Sequence, residues 1–169
     1  MKTQQNRSQG YDIDGYEYIT TALLSLLNNY PGLLEGDSIK FGSPDEDNGK
    51  AMIPVSGGII VSEKKDIMGT VTQVCNYPFY VVYRSGAMSD HMQINTKEWL
   101  DNLGRWLERQ SINIDNVKYK LTGYPDLTGN RKIKRIERQS PAFLETYQDG
   151  QIENWSIFIS AEYENVFTI

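Results

Sequence analysis

The sequence contains few of the residues that build metal sites, disulfides or cofactor sites. Its 169 residues include one cysteine, Cys75, and one histidine, His91. A disulfide within the chain is therefore impossible, and a zinc site made of cysteine and histidine has too few ligands. Two acidic turns, DEDNGK and YQDGQIENWS, place the wrong residues at the ligand positions of a calcium loop. We expect no bound metal and no cofactor.

Long apolar runs and an excess of basic residues are also missing. The apolar runs are too short to span a bilayer, and the first ten residues, MKTQQNRSQG, are too polar for a signal peptide. Acidic residues outnumber basic ones by 22 to 17, whereas a general nucleic-acid coat needs a positive field. We expect a cytosolic chain without a membrane or specific nucleic-acid partner. It should have a flexible tail at 1–10 and a single domain at 11–169.

Two stretches have the apolar spacing of amphipathic helices. The first covers about 15–29, and Pro31 with Gly32 ends it. In the second, INTKEWLDNLGRWLERQ, Asn95 is the predicted N-cap, and Glu98 stands at the capping-box position. Gly104 inside this helix lowers helix propensity, which predicts close packing against a neighbouring element.

Several stretches predict β-structure. The closing segment alternates apolar and polar residues from Trp155, which predicts a strand inside a sheet. AMIPVSGGIIVSEKK predicts a hairpin or a bent strand. In GTVTQVCNYPFYVVYRS, Pro78 marks a bulge, an edge or a break, because proline cannot donate to a ladder. NVKYKLTG predicts an edge strand with one wet face, and residues 131–150 predict more β-structure before a tight turn at Asp149 and Gly150.

The order of these elements predicts an α+β fold. Strands cluster between the helices, which favours a largely antiparallel or mixed sheet with two amphipathic helices packed on one face. We expect the core to join both helices to the closing strand. Its predicted members are Leu23, Leu27, Trp99, Trp106, Trp155, Ile157 and Ile159.

No catalytic motif is present. His91 is adjacent to Ser89 and Asp90, but neighbours in sequence do not generally reach each other as a catalytic triad does. Cys75 lies mid-strand, where a free cysteine usually acts as a small buried hydrophobe. Phosphate-binding glycine motifs are missing as well. We expect a protein that is not an enzyme, although a cleft in which Glu145, Glu162 and Glu164 converge stays open as an alternative.

Two charged segments of opposite sign are candidate interaction sites. An acidic loop lies within FGSPDEDNGK, and a basic strip lies within RKIKRIER. The two can meet between subunits, since opposite patches fix the register of an interface. Alternatively, the strip is a solvated edge strand that charge protects from aggregation. The candidate residues are Asp45, Glu46, Asp47, Arg131, Lys132, Lys134, Arg135 and Arg138.

The sum of several segments resembles the tail terminator proteins of long-tailed phages, a family that includes products often labelled minor capsid protein. The segments are ALLSLL in the first helix, the aromatic-rich YPFYVVYR, the helix WLDNLGRWLERQ, the turn GYPDLTGN and the closing NWSIFISAEYE. Together they span about residues 15–165.

This resemblance implies a structural phage or prophage subunit. Such a subunit forms a homo-oligomeric ring that caps the tail tube and joins it to the head connector, with DNA passing through the ring. It would reside in the host cytoplasm during assembly and then in the virion tail. Two other functions stay open: another phage neck or minor capsid protein, and a non-phage adaptor that adds a partner strand to an exposed edge.

Overall fold

The computed structural model describes residues 10–45, 47–127, 129–147 and 151–169. Within these residues the chain forms two helices and nine strands. The helices are α1 (Tyr16–Leu27) and α2 (Asp90–Leu107). The strands are β1 (Ile39–Phe41), β2 (Gly49–Pro54), β3 (Ile59–Lys65), β4 (Thr70–Gly86), β5 (Ile112–Ile114), β6 (Val117–Tyr119), β7 (Arg131–Arg138), β8 (Phe143–Tyr147) and β9 (Ile152–Thr168).

Two long antiparallel strands, β4 and β9, form the centre of a seven-stranded sheet. They pair over their full 17-residue lengths, from Thr70 opposite Thr168 to Gly86 opposite Ile152. On the far side of β4, β2 and β3 pair with its two halves, and β1 lies parallel to β2 at the edge. On the far side of β9, β7 and β8 likewise pair with different halves. The predicted closing strand is confirmed, and it lies inside the sheet.

Both helices cover the same face of this sheet. The Tyr77 side chain on β4 contacts α1, where its hydroxyl lies 2.8 Å from that of Thr20. The Ile157 side chain on β9 packs against α2 at Gly104. Register puts Tyr77 opposite Ala161, so Tyr77, Ala161 and Ile157 point to one side. The α+β prediction, with a mostly antiparallel sheet, is confirmed.

The core joins both helices to the central strands, as predicted. Six of the seven predicted members are buried: Leu23, Leu27, Trp106, Trp155, Ile157 and Ile159. Trp99 is half-buried and packs against the core at its margin. Its ring meets Tyr30 and Tyr83 edge-on, and its indole nitrogen donates to the Gly32 carbonyl at 2.8 Å. An indole with a polar partner is stable at the margin of a core.

The segment AMIPVSGGIIVSEKK is not a hairpin, and the bent-strand interpretation is closer. Its two strands, β2 and β3, lie end to end along β4 and do not pair with each other. Pro78 does not break β4. Its carbonyl accepts from the Val55 nitrogen at 3.0 Å, so its missing N–H faces the gap between β2 and β3. The interruption predicted at Pro78 is therefore found in the neighbouring strand, as the gap between β2 and β3, and β4 itself is continuous.

Helix α2 begins earlier than predicted, so Asn95 as N-cap was wrong. Ser89 is the N-cap, and its side chain accepts a hydrogen bond from the Met92 nitrogen at 3.4 Å. Asn95 lies inside the helix, where its amide is 3.4 Å from the His91 ring. Buried residues of α2 begin only at Thr96, so apolar periodicity could not reveal the first turn.

The predicted strand within NVKYKLTG is confirmed and has a partner on one side only, but the expected buried face was wrong. Its residues form β6, which pairs only with β5 in a separate two-stranded ribbon. All three residues of β6 are exposed, so neither face is buried. Asp115 and Asn116 connect the strands with positive φ angles of 50° and 64°, as the tight turn of a two-residue hairpin requires. Residues 1–9 of the predicted tail at 1–10, and the turn at Asp149 and Gly150, lie outside the described residues.

Candidate interaction surfaces

The acidic loop and the basic strip lie at opposite edges of the sheet. The loop connects β1 to β2, which form one edge, and the strip is β7, which forms the other. The central strands β4 and β9 separate them. The two segments are therefore too far apart to pair within one chain, which leaves them available to neighbouring molecules.

The acidic loop is solvent-exposed and only partly neutralised. Asp45 pairs with Lys40 at 2.7 Å, and both side chains are more than half exposed. The Asp45 carbonyl also accepts from Arg84 at 3.4 Å, which ties the loop to β4. Asp47 is exposed, and Glu46 lies outside the described residues. Exposed pairs of this kind contribute little to stability, so the loop can exchange partners readily.

The basic strip divides into an inner and an outer set. Arg131 and Arg138 lie on the helix-covered side and bond to Asp12 and Glu108, with nitrogen–oxygen distances of 2.8 and 2.7 Å. Lys132, Lys134 and Arg135 are exposed. A register shift between Ile133 and Arg135 places Lys134 in a bulge. Only the outer residues are accessible to another protein.

Two of the three outer cations already have partners in the same chain. Lys134 lies 3.2 Å from Glu164, and Arg135 lies 3.2 Å from Glu162 and 3.4 Å from Glu137. These pairs are partly exposed, and screening by water and salt makes them weak. The strip is therefore less positive than its sequence indicates.

The outer backbone edge of β7 is covered by its own chain. Asp126 forms an isolated bridge with Lys132. The Tyr124 hydroxyl accepts from the Ile136 nitrogen, and the Glu108 carboxylate accepts from the Arg138 nitrogen, both at 3.3 Å. These groups occupy positions that an added strand would need, so β7 is a poor edge for strand addition.

A buried polar cluster surrounds Asp12, just before α1. Its Oδ1 accepts from the Arg131 Nη2 at 2.9 Å and from the Gly15 nitrogen at 3.1 Å. Its Oδ2 accepts from the Arg131 Nε at 2.8 Å and from the Tyr163 hydroxyl at 3.0 Å. The cluster thus fastens the segment before α1 to β7 and β9, and every polar contact is made inside the chain.

The pKa values of the cluster follow from burial and charge. Burial by itself raises the pKa of Asp12, but the hydrogen bonds from Arg131 and Tyr163 and the Arg131 charge outweigh it, so that pKa is lowered. The bond to Asp12 raises the pKa of Arg131. Burial, with the nearby Asp12 charge, raises the pKa of Cys75 to about 11. Cys75 is a buried thiol, as expected, and its high pKa makes it a poor nucleophile at neutral pH.

The residues considered for catalysis do not form a catalytic site. Ser89 is occupied as the cap of α2, and His91 is exposed on the first turn of that helix. Glu145 lies opposite Asn154 of β9, which is eight residues from Glu162 on the same strand. At 3.3 Å per residue, Glu145 and Glu162 are therefore separated by about 26 Å along the strand. Glu162 and Glu164 lie together, but their neighbours are the basic residues of β7.

Among the residues that the structure describes, no group of three or more His, Cys, Asp or Glu side chains is arranged to hold a metal ion. Within those residues, neither helix is long and apolar enough to cross a membrane.

The Asp12 cluster was not predicted from the sequence. The contact of Asp12 with the Gly15 nitrogen is local in sequence, and a carboxylate near the start of a helix is favourable. Its other partners, Arg131 and Tyr163, are 119 and 151 residues away in the chain. Arg131 appeared to be one member of a basic run, and no local spacing distinguishes it from its neighbours.

Comparison with known proteins gave no match, either to a protein-family model or to a curated protein.

Proposed function

We propose that this chain is a structural subunit of a long-tailed phage or prophage, and that it acts as the tail terminator. In this proposal, copies of the chain close into a ring on the end of the tail tube, stop its growth and offer a face to the head connector. The protein acts in the host cytoplasm during assembly and then remains in the virion tail. The resemblance of the segments in both helices and in the central strands supports it.

The observation that carries the proposal is the placement of two unlike surfaces on opposite edges of one sheet. A ring subunit needs two different complementary surfaces, because each copy contacts the next head to tail. Here one edge holds the exposed Asp45 and Asp47, and the other holds the exposed Lys132, Lys134 and Arg135. Such an arrangement favours head-to-tail contact over a two-fold dimer.

The overall charge also suits this role. The chain has a formal net charge of −5, which discourages tight binding of the DNA that passes through the ring. Two of the outer cations, Lys134 and Arg135, are held in weak, exposed pairs, so a neighbour's acidic loop can compete for them. The proposed contact is therefore sensitive to salt, since 0.1 M salt screens exposed charges over about 10 Å.

A charge-reversal variant tests the proposed contact. Replacing Lys132, Lys134 and Arg135 with glutamate should weaken ring formation in light scattering and negative-stain imaging, with and without purified tail tubes. Lys118→Glu with Lys120→Glu, on the exposed β5–β6 ribbon side, is the matched control and should assemble normally. Raised salt should weaken wild-type assembly too. Rings that survive both the reversal and the salt would exclude this contact but leave the tail function standing.

A second candidate function is an adaptor that adds a partner's strand to the sheet. The observation that favours it is β3, whose residues 61–65 are all exposed at the outside of the sheet. This candidate predicts a monomer or dimer that binds an extended peptide. The adaptor would be favoured if the protein neither forms rings nor caps tubes, and if binding of an extended peptide slows hydrogen exchange of the backbone amides in residues 61–65.

A further inference from the structure

The turn between β3 and β4 presents large apolar side chains to solvent. Ile67 has 101% of its reference surface exposed, and Met68 has 79%. Ile169 lies beside them, because its nitrogen donates to the Gly69 carbonyl at 3.0 Å, and it is also 79% exposed. Single exposed apolar residues are common, but adjacent ones at a projecting tip indicate a contact with another molecule.

This turn is held rigidly by its own hydrogen bonds. The Asp66 carboxylate accepts from the Met68 nitrogen at 2.8 Å and from the Thr70 nitrogen at 2.9 Å. The Asp66 nitrogen donates to the Thr70 carbonyl at 3.0 Å, and Gly69 takes the positive φ of 86° that the turn needs. A tip that is already ordered loses little conformational entropy when it docks. Ile67 and Met68 are therefore well suited to anchor a contact.

An apolar cleft of about 490 Å³ lies elsewhere on the chain, beside the start of α1. Its lining includes Tyr16, Pro54 and Val55, and the exposed Ile13 lies on its rim. Gly57 forms part of its wall, where a side chain would come within 3.3 Å of the Tyr16 ring. The cleft is large enough for two aliphatic side chains and has the apolar lining that they favour.

A second cleft of about 550 Å³ adjoins the first, with residues 11–13 as the wall that the two share. It is more polar, and Asp14 and Asn165 contribute to it. Asn165 is only 6% exposed, and its Oδ1, which is shielded from solvent, has no hydrogen-bond partner among the residues that the structure describes. The exposed Asp14 carboxylate is an acceptor in this cleft that another molecule can reach.

The base of the tip carries suitable donors. Lys64 and Lys65 are exposed, and among the described residues no ion pair involves them or Asp14. The tip therefore combines apolar anchors with adjacent ammonium groups, and the paired clefts combine an apolar hollow with adjacent acceptors. The two surfaces are complementary in polarity and in charge.

The apolar side chains of the tip cannot reach the apolar cleft of their own chain. Ile59 bridges Tyr11 at the clefts, whereas the tip begins beyond Lys65 at the other end of β3. Six residues of strand at 3.3 Å each separate them by about 20 Å. The antiparallel pairing of β3 with β4 prevents the strand from folding back. Any docking of this kind needs a second molecule.

We infer that the occupant is a second copy of this chain. Ile67 and Met68 of one copy enter the apolar cleft of the next, while Lys64 or Lys65 donates to Asp14 at the polar cleft. Because tip and cleft are different surfaces, the contact is heterologous and can repeat around a ring. The inference rests on the ring that we propose above, and it specifies which surfaces close that ring.

Two variants test this contact against a matched control. Ile67→Ser with Met68→Ser removes the anchors, and Leu34→Ser removes an apolar side chain that is 78% exposed on the loop after α1. Assembly, followed by sedimentation velocity alone and by imaging on tail tubes, should weaken about 10-fold or more in the first variant, because central apolar anchors dominate interfaces. The Leu34 variant should assemble as the wild type does.

A crosslinking experiment places the contact directly. Protein with Ile67→Cys, mixed with differently tagged protein carrying Val55→Cys, should form a mixed disulfide under mild oxidation. Leu34→Cys mixed with Val55→Cys should not. The native Cys75 is buried and should not compete.

The outcomes separate this inference from the proposed function. If the wild type assembles and the Ile67/Met68 variant assembles equally well, or if no mixed disulfide forms, the inference is wrong and the tail function stands. Normal rings that no longer bind tubes would also overturn it, since the tip would then contact the tube. If the wild type forms no assembly alone or on tubes, the inference and the proposed function fail together.

Discussion

Arg131 holds Asp12 through two nitrogens, Nε at 2.8 Å and Nη2 at 2.9 Å, across 119 residues of chain. The two side chains are 13% and 5% exposed. This pair connects the segment before α1 to the edge strand β7, and Tyr163 extends it to β9. The segment that forms the shared wall of the two clefts therefore depends on a buried ion pair for its position.

Removing one partner of this pair should be strongly destabilising. Arg131→Met keeps much of the side-chain volume but leaves the Asp12 carboxylate buried without its cation. We expect a loss of about 3 kcal/mol in the free energy of unfolding, measured by urea denaturation. Lys132→Met, on the exposed neighbour, should change it by less than about 0.5 kcal/mol. Equal effects of the two variants would show that the Asp12 pair does not stabilise the fold.

The lowered pKa of Asp12 predicts a loss of stability in acid. A carboxyl group whose pKa is lower in the folded state contributes stability above its unfolded value of about 3.9, and that contribution is lost as the pH falls through the folded value. Unfolding free energies should therefore fall less steeply below about pH 4 in Asp12→Asn than in the wild type. The exposed Asp47→Asn, on the acidic loop at the opposite edge of the sheet, is the matched control. Parallel acid profiles for Asp12→Asn and the wild type would contradict this account.

Gly104 should resist substitution although it lies inside a helix. Alanine raises helix propensity by roughly 1 kcal/mol, but its Cβ would lie 2.3 Å from Arg138 Cδ and 3.1 Å from Ile157 Cδ1. Glu108 fixes Arg138 at 2.7 Å, so that side chain cannot move away freely. Gly104→Ala should therefore lower the thermal unfolding midpoint. The decrease should be smaller when the substitution is made in a protein that already carries Arg138→Ala. A purely additive double-mutant cycle would refute the proposed clash.

Trp106 should be among the costliest core positions. It is buried between α2 and the sheet and contacts Tyr30 at a ring-centroid distance of 5.6 Å. Trp106→Ala should reduce the free energy of unfolding by about 3–5 kcal/mol, because the cavity cannot collapse fully. Trp99→Ala, at the half-buried neighbour, should be milder. A denaturation midpoint unchanged by Trp106→Ala would contradict the packing of α2.

Local patterns in the sequence were sufficient for the elements whose burial is regular. Alternation from Trp155 predicted β9, and the stripe through Leu23 and Leu27 predicted α1, because one face of each is buried along its whole length. The start of α2 was missed, since its first turn buries nothing that sets a period. The three-residue β1 was missed because such a short strand has no period to detect.

Long-range relationships account for most of what sequence patterns could not reveal. Strand pairing joins β2 and β3 to β4, and no local signal distinguishes that from a hairpin. The basic strip was identified as a run of charge, but the partners Asp12, Glu108 and Glu164 come from distant elements. The clefts beside residues 11–13 likewise form only where several distant segments meet.

Capping of tail tubes tests the central claim most directly. Tubes assembled from the tube protein of the same phage or prophage should be mixed with this chain, and their lengths and ends measured by negative-stain imaging. The account predicts a ring of added density at one end of each tube and an arrest of elongation when fresh tube protein is added. Tubes that carry no added density and elongate at the same rate with and without the chain would contradict it.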